Sequence, residues 1–213
     1  MLDRPRITIF LSDLGIDLVG IADLTGKDTK PVETYGPWPR ALVMGYVLSR
    51  AVLETVTDRP SLLYKHHYKT VNWLLDQAAE RLAHDIEMSG HRSLAIPASQ
   101  TVDRERRQGH LSHRYLGYLA GLGFRGRSGL LVNPKYGARV RYATILSDLP
   151  VDPDQPIDDT CGPCRRCVQV CPAGAISENG VDTDKCYRKL NEFAALPGIG
   201  QHICGVCVKA CLR

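Results

Sequence analysis

The chain has 213 residues, 44% of them hydrophobic and 23% charged, with 27 Lys and Arg against 23 Asp and Glu for a formal net charge of +4. That length supports one buried core, or one core with a small satellite, and the composition is ordinary for a soluble protein. No apolar run approaches the length needed to cross a bilayer, which excludes a helical membrane protein.

The opening "MLDRPRITIFLSDLG" has only the short apolar run ITIFL and carries Asp3 early, so it is a poor secretory signal and a cytoplasmic protein with no membrane partner is expected. Residues 6–15, "RITIFLSDLG", open with a helix, and "DLVGIAD" (17–23) and "ALVMGYVLS" (41–49) read as strands bounded by Gly, Pro or Asp. Segment 63–89 places Tyr64, Tyr68, Val71, Leu74, Leu75, Ala78, Ala79, Leu82 and Ile86 on one helical face. Ser61 suits its N-cap and Gly90 its C′ position. His66 and His67, at its start, read as surface residues rather than metal ligands.

Charge is unevenly spread. Between Arg104 and Arg141 stand nine Lys or Arg against one acid, Glu105. Such a run is either a solvated basic face or an anion site for a cofactor phosphate or a nucleic acid. Inside it, Gly121-x-Gly123-x-x-Gly126 matches a dinucleotide fingerprint by letters. That motif needs a strand before it and a helix after it, whereas "SHRYLGYLA" before it is helical and the residues after it turn quickly into strand. NAD binding is therefore rejected, and the glycines are expected to shape a loop where backbone comes close to a packed neighbour or a flat ligand. "RVRYATILSDL" (139–149) reads as a further strand, and the Pro/Asp-rich "LPVDPDQPIDD" (149–159) as a linker. The expected organisation is an α+β domain over 1–153 followed by a separate module over 154–213.

That module holds all eight cysteines. Cys161, Cys164, Cys167 and Cys171, followed by Pro172, form C-x2-C-x2-C-x3-C-P, the bacterial ferredoxin run for [4Fe–4S] clusters. The first three wrap one cubane and the fourth ligates the other. Four thiols remain, so the crossover rule assigns Cys161, Cys164, Cys167 and Cys211 to one cluster and Cys171, Cys186, Cys204 and Cys207 to the second. "AGAI" (173–176) and the polar turn after it fit the short hairpin that links ferredoxin half-motifs. A disulfide framework belongs to oxidising compartments, zinc prefers paired C-x2-C knuckles, and a redox C-x-x-C needs only one pair. Two clusters account for every cysteine. The second run lacks a proline after Cys211, and only two residues follow it, so that end is expected to be capped by little.

"AGLGFRGRSGLLVNPKYG" (120–137), the strand "RVRYATILSDLP" and "CGPCRRCVQVCPAGAI" together resemble the epoxyqueuosine reductases, as do "YGPWPRALVMGY" (35–46) and the Tyr/His-rich helix near 64–68. Reductive dehalogenases are more distant cousins. The resemblance implies a cobalamin-binding domain of nitroreductase-like fold followed by a two-cluster ferredoxin-like module. The clusters would pass electrons from a donor such as a ferredoxin or flavodoxin to a bound corrinoid, or to a flavin or similar flat cofactor, for reduction of a small substrate. It places Gly121, Gly123, Gly126, Asn133, Pro134, Gly137, Arg139 and Arg141 near the cofactor or the cluster face.

Two departures stand out. Epoxyqueuosine reductases carry an aspartate proton donor upstream of the glycine loop, where this chain has "RRQGHLSHR" with Arg107 near the acid's place. They also continue into a helical-repeat tRNA-binding region with no counterpart here, so tRNA is not the expected partner. His110, His113, Tyr115 and Tyr118 become the candidate proton donors, with Ser112 joining the two histidines in lining a ligand site. The alternatives are a non-catalytic electron carrier that docks a partner enzyme and, third, a nucleic-acid binder acting through 104–141.

Overall fold

The computed structural model of the chain describes residues 2–27, 35–103 and 105–211, so Arg104 of the basic stretch lies outside the described residues. The architecture is mixed α and β, divided between two compact units. One takes Met1–Tyr46, Val71–Gly123 and Arg141–Ile157; the other takes Val47–Thr70, Phe124–Val140 and Asp158–Arg213. Two segments well before the cysteines, 47–70 and 124–140, thus join the cysteine-bearing unit. Among the described residues no helix is long and apolar enough to cross a membrane.

The first unit is built on a four-stranded sheet of β1 (Leu18–Asp23), β2 (Arg40–Val47), β3 (Ser93–Ile96) and β6 (Val140–Ser147), in the order β1-β2-β6-β3. β1 pairs antiparallel with β2, Leu18 opposite Gly45 and Asp23 opposite Arg40, and β3 pairs antiparallel with β6, Ser93 opposite Ser147. The central strands are buried almost throughout: Ala41–Met44 on β2 and Ala143, Ile145 and Leu146 on β6 have no exposed surface. Strands covered on both faces read as continuous apolar runs for this reason.

α1 (Arg4–Asp13) starts where Asp3 accepts a hydrogen bond from the Arg6 N–H at 3.0 Å, and it buries Ile7 and Leu11. α2 (Arg50–Glu54) follows β2, and then comes the long α3 (Leu62–Met88). Ser61 caps α3 as expected, its hydroxyl accepting from the Tyr64 N–H at 3.0 Å, and Gly90 stops it at φ +90°. The stripe of Val71, Leu75, Ala78, Ala79, Leu82 and Ile86 is buried, as its 3.6-residue period requires.

The Pro/Asp-rich stretch is not a free tether. Asp154 closes the edge of β1: its carboxylate accepts from the Ile21 N–H at 2.8 Å, and its own N–H donates to Ile21 O at 2.7 Å. Arg4 pairs with the same carboxylate at 2.9 Å, and Arg40 donates to Val151 O at 3.1 Å. An edge strand leaves its N–H and C=O groups open, and this strap satisfies those of Ile21.

The second unit contains α2, the start of α3, the short β4 (Phe124–Arg125) and β5 (Leu131–Val132) hairpin, and the cysteine segment. The latter folds as α5 (Arg166–Val170), β7 (Ile176–Ser177), β8 (Gly180–Val181), α6 (Thr183–Ala194) and α7 (Val206–Ala210). β7 and β8 pair antiparallel, which is the hairpin read from "AGAI". Each cysteine run continues into a five-residue helix, and these two helices, α5 and α7, pack together.

Gly20 in β1 has no room for a side chain, since a Cβ there would lie 2.2 Å from Ala120 O and 2.9 Å from Leu122 Cγ. Gly20→Ala is expected to destabilise the fold by about 1–3 kcal/mol through overpacking. Denaturant unfolding measures this, and an unchanged midpoint would contradict that packing.

Candidate functional site

Several of the thiols lie near enough to act on one another electrostatically. The Cys167 thiol is pushed up by burial and by Cys161, Cys211 and Cys164; Arg166 feels Cys164, Cys211 and Cys167. On the other side, Cys186 is raised by burial and by Cys171, and Cys204 is pushed up to about 11 by burial, with Cys186 and Cys171 adding to it. Cys207 is pushed up to about 12, again chiefly by burial, with Cys204, Cys186, Cys171 and, last, Cys167 as neighbours. Cys211 of the second run thus neighbours Cys167 of the first, and Cys171 of the first neighbours Cys204 of the second. No cysteine is engaged in a disulfide.

Backbone amides reach the sulfurs. The Arg127 N–H donates to Cys161 Sγ at 3.4 Å and the Ala175 N–H to Cys171 Sγ at 3.3 Å. The Cys164 thiol is drawn down by the backbone and side chain of Arg166, with Arg127 contributing a weaker pull. Cys161 and Cys211 both pack against a small apolar cluster of Phe124, Val132 and Ala138. Cys211 is thus seated rather than loose, against the expectation that its end is capped by little. Two residues earlier, Lys209 Nζ donates to the carbonyls of Glu54 at 3.2 Å and Val56 at 2.5 Å, tying α7 to the end of α2. Tyr64 covers Gly205, where an added Cβ would lie 2.7 Å from the Tyr64 ring.

Among the described residues no three His, Cys, Asp or Glu side chains are grouped to hold a single metal ion. A cubane spreads four thiolates over four irons, a wider set. The fit to clusters is chemical: burial opposes the thiolate forms of Cys186, Cys204 and Cys207, which need a shared positive centre before all three can ionise.

The glycine-loop residues are distributed between the two units. Gly121, at φ +67°, lies against the strap, where a Cβ would meet Gln155 O at 2.6 Å; Gly123 is buried. Gly126 lies against the β4–β5 hairpin and the first cysteine, with a Cβ 2.5 Å from Val132 Cγ2 and 3.7 Å from Cys161 Sγ. Asn133 is buried and folds a turn, its Oδ1 accepting from the N–H groups of Lys135 at 3.0 Å and Tyr136 at 3.1 Å, while Pro134 is exposed and Gly137 closes the turn onto Asn133. Arg141 donates from Nε and Nη2 to Asn72 Oδ1 at 3.1 and 3.0 Å. Arg139 donates to Leu48 O at 3.0 Å and lies over the Tyr136 ring at 5.5 Å, but its buried Nε has no hydrogen-bond partner among the described residues. The same holds for the buried Tyr142 hydroxyl.

The helix that precedes the loop is α4 (His113–Leu119). Ser112 is its N-cap, accepting from the Tyr115 N–H at 3.3 Å, a role that its place just before the helix could have signalled. Tyr115 is exposed and Tyr118 half-buried. His113 is anchored at both ring nitrogens, Nδ1 to Thr144 Oγ1 at 2.8 Å and Nε2 to Pro97 O at 3.1 Å, and burial pushes it down to about 4. His110 differs: its Nδ1 shares a hydrogen bond of 2.5 Å with the Tyr35 hydroxyl, and both rings are partly buried. Tyr35 lies 75 residues away in sequence, and no local pattern announces it. His67 is not a plain surface residue, since its Nε2 accepts from the Ser49 N–H at 3.0 Å and burial lowers its pKa.

No protein-family profile matches the chain. Its fold is that of the reductive dehalogenases and epoxyqueuosine reductases. A reductive dehalogenase whose structure is described as suggesting a mechanism for B12-dependent dehalogenation superposes with a TM-score of 0.72 at 23% identity, over 85% of this chain and 28% of that one. An epoxyqueuosine reductase solved with an epoxyqueuosine-modified tRNA-Tyr stem loop gives 0.65 at 20% identity, over 97% of this chain and 64% of the other. In sequence the chain is similar to epoxyqueuosine reductases in particular. It is 36% identical to that of Bacillus anthracis over 85 residues, covering 39% of this chain and 22% of the relative. It is 28% identical to that of Aliivibrio fischeri over 159 residues, covering 70% and 40%. The resemblance carried by the sequence motifs is therefore found again in both comparisons, and the matched region spans less than half of either relative.

The folded chain holds His113 below its ordinary value of 6.5, so between pH 6.5 and about pH 4 the unfolded chain binds the additional proton. Stability contributed by neutral His113 is full above that window and falls as the pH drops through it. His113→Gln is expected to flatten the pH dependence of unfolding there; slopes equal to the parent's would contradict the buried, neutral imidazole.

Proposed function

We propose that the chain is an iron–sulfur redox protein that passes electrons through two [4Fe–4S] clusters to a bound corrinoid for reduction of a small substrate. Cys161, Cys164, Cys167 and Cys211 hold one cluster; Cys171, Cys186, Cys204 and Cys207 hold the other. The observation that carries this reading is that Cys161 of the first run and Cys211 of the second pack against one apolar cluster, while α5 and α7 pack together.

Bound clusters supply one-electron chemistry, and a bound corrinoid supplies the cobalt chemistry that reduces the substrate. The chain's own part is placement and electrostatics. The N–H groups of Arg127 and Ala175 stabilise negative charge on Cys161 and Cys171. The Tyr142 hydroxyl is a buried polar atom with hydrogen-bonding capacity to spare, a fit to a ligand with a polar side arm. His110, backed by the Tyr35 hydroxyl, is the proton source in this reading, since His113 is committed at both nitrogens to Thr144 and Pro97. Electrons enter from a ferredoxin- or flavodoxin-type donor.

Protein prepared without air and supplied with iron, sulfide, cobalamin and flavin tests this directly. The expected inventory is about eight irons per chain with retained cobalamin, and His110→Gln is expected to slow substrate-linked reoxidation of the clusters by roughly 10²-fold, the scale of a lost general acid. About eight irons with neither cobalamin nor flavin retained would contradict the reductase and leave an electron carrier.

A further inference from the structure

We propose that Arg127, which stands outside the cysteine segment, sets the reduction potential of one cluster of the two, the one assigned to Cys161, Cys164, Cys167 and Cys211, and leaves the other nearly untouched. This rests on the cluster reading above.

Arg127 approaches that thiol group in three ways. Its backbone N–H donates to Cys161 Sγ at 3.4 Å. Its guanidinium donates to the carbonyls of Gly162, at 3.2 Å, and Cys164, within the loop that carries the first two thiols. The side chain is only 15% exposed, so its charge acts with little screening by water. Gly126 allows the approach, because a Cβ there would collide with Val132 on the neighbouring strand.

Glu178 moderates this charge. It lies 3.4 Å from Arg127 Nη2 and 2.7 Å from Arg165 Nε, and its side chain is about half exposed. One carboxylate is thus shared by two guanidinium groups, which leaves a net positive field at the loop. Across the module, Cys171 receives its N–H from Ala175, which brings no charge.

Reduction adds one negative charge to a cluster. A cation and an N–H donor beside it stabilise the reduced form more than the oxidised form, which raises the potential. A device acting on one cluster only sets the two potentials apart and so biases which of them holds the electron.

The test is a redox titration of the full-length, anaerobically reconstituted chain, followed by EPR, on the parent and three variants. Arg127→Gln is expected to lower the potential of one signal by at least a threefold change in its reduced-to-oxidised ratio, ~28 mV for a one-electron couple at 59 mV per tenfold, while the other signal stays in place. Arg127→Lys, which keeps the charge, recovers most of that shift. Glu178→Gln removes the opposing charge and moves the same signal upward, and it decides the matter should Arg127→Gln fail to assemble. An iron content near eight with both potentials unmoved, or both moved together, overturns this inference and leaves the cluster reading standing. An iron content that never reaches about eight in the parent overturns both.

Discussion

Eight thiols concentrated in one short segment cannot all be thiolates together unless positive charge is shared among them. In the proposed reading, the chain's answer is to cross itself. In the proposed assignment the first run contributes three sulfurs to one group, completed by Cys211, and its fourth to the other, completed by Cys186, Cys204 and Cys207. α5 and α7, which lie within the two cysteine runs, pack against one another and so bring those runs together. The rest of the cysteine-bearing unit holds the crossing in register. Lys209 fastens α7 to the carbonyl end of α2, Tyr64 covers Gly205, and Cys161 and Cys211 both pack against the Phe124–Val132–Ala138 cluster.

The segment rich in glycine owes its composition to this arrangement as much as to any ligand. Gly126 brings backbone onto a cysteine sulfur, and Gly121 brings it onto the strap that closes β1. Both are places where a methyl group would meet a neighbouring atom at 2.6 Å or less. Helix, loop and strand succeed one another in that order around 113–132, the reverse of the order a dinucleotide site requires. The basic character of the stretch is likewise divided into separate tasks: Arg127 serves the cysteine loop, Arg139 the Leu48 carbonyl and Arg141 the Asn72 amide.

What could be read from the sequence was what repeats locally. The 3.6-residue stripe of α3, its Ser61 cap and its Gly90 stop were all visible, because each depends on neighbours within a turn or two. The gathering of the two cysteine runs into one unit was legible for a related reason, since the spacing C-x2-C-x2-C-x3-C marks a single compact loop. What escaped were contacts between distant positions. Arg127 and Cys161 are 34 residues apart, Tyr35 and His110 are 75 apart, and Ile21 and Asp154 are 133 apart, and none of these pairs has a local signature. His113 was misleading in the opposite sense. Its place beside Ser112 suggested a ligand site, yet Thr144 and Pro97 take both of its nitrogens, and only the folded β3–β6 pair brings them there.

The crossing itself is open to one decisive measurement: low-temperature EPR of the fully reduced chain, with single serine substitutions at Cys164, Cys211, Cys171 and Cys204. The account predicts that Cys164→Ser and Cys211→Ser perturb the same paramagnetic signal, and that Cys171→Ser and Cys204→Ser perturb the second one. A spectrum in which Cys171 groups with Cys164, each run serving a centre of its own, would contradict it.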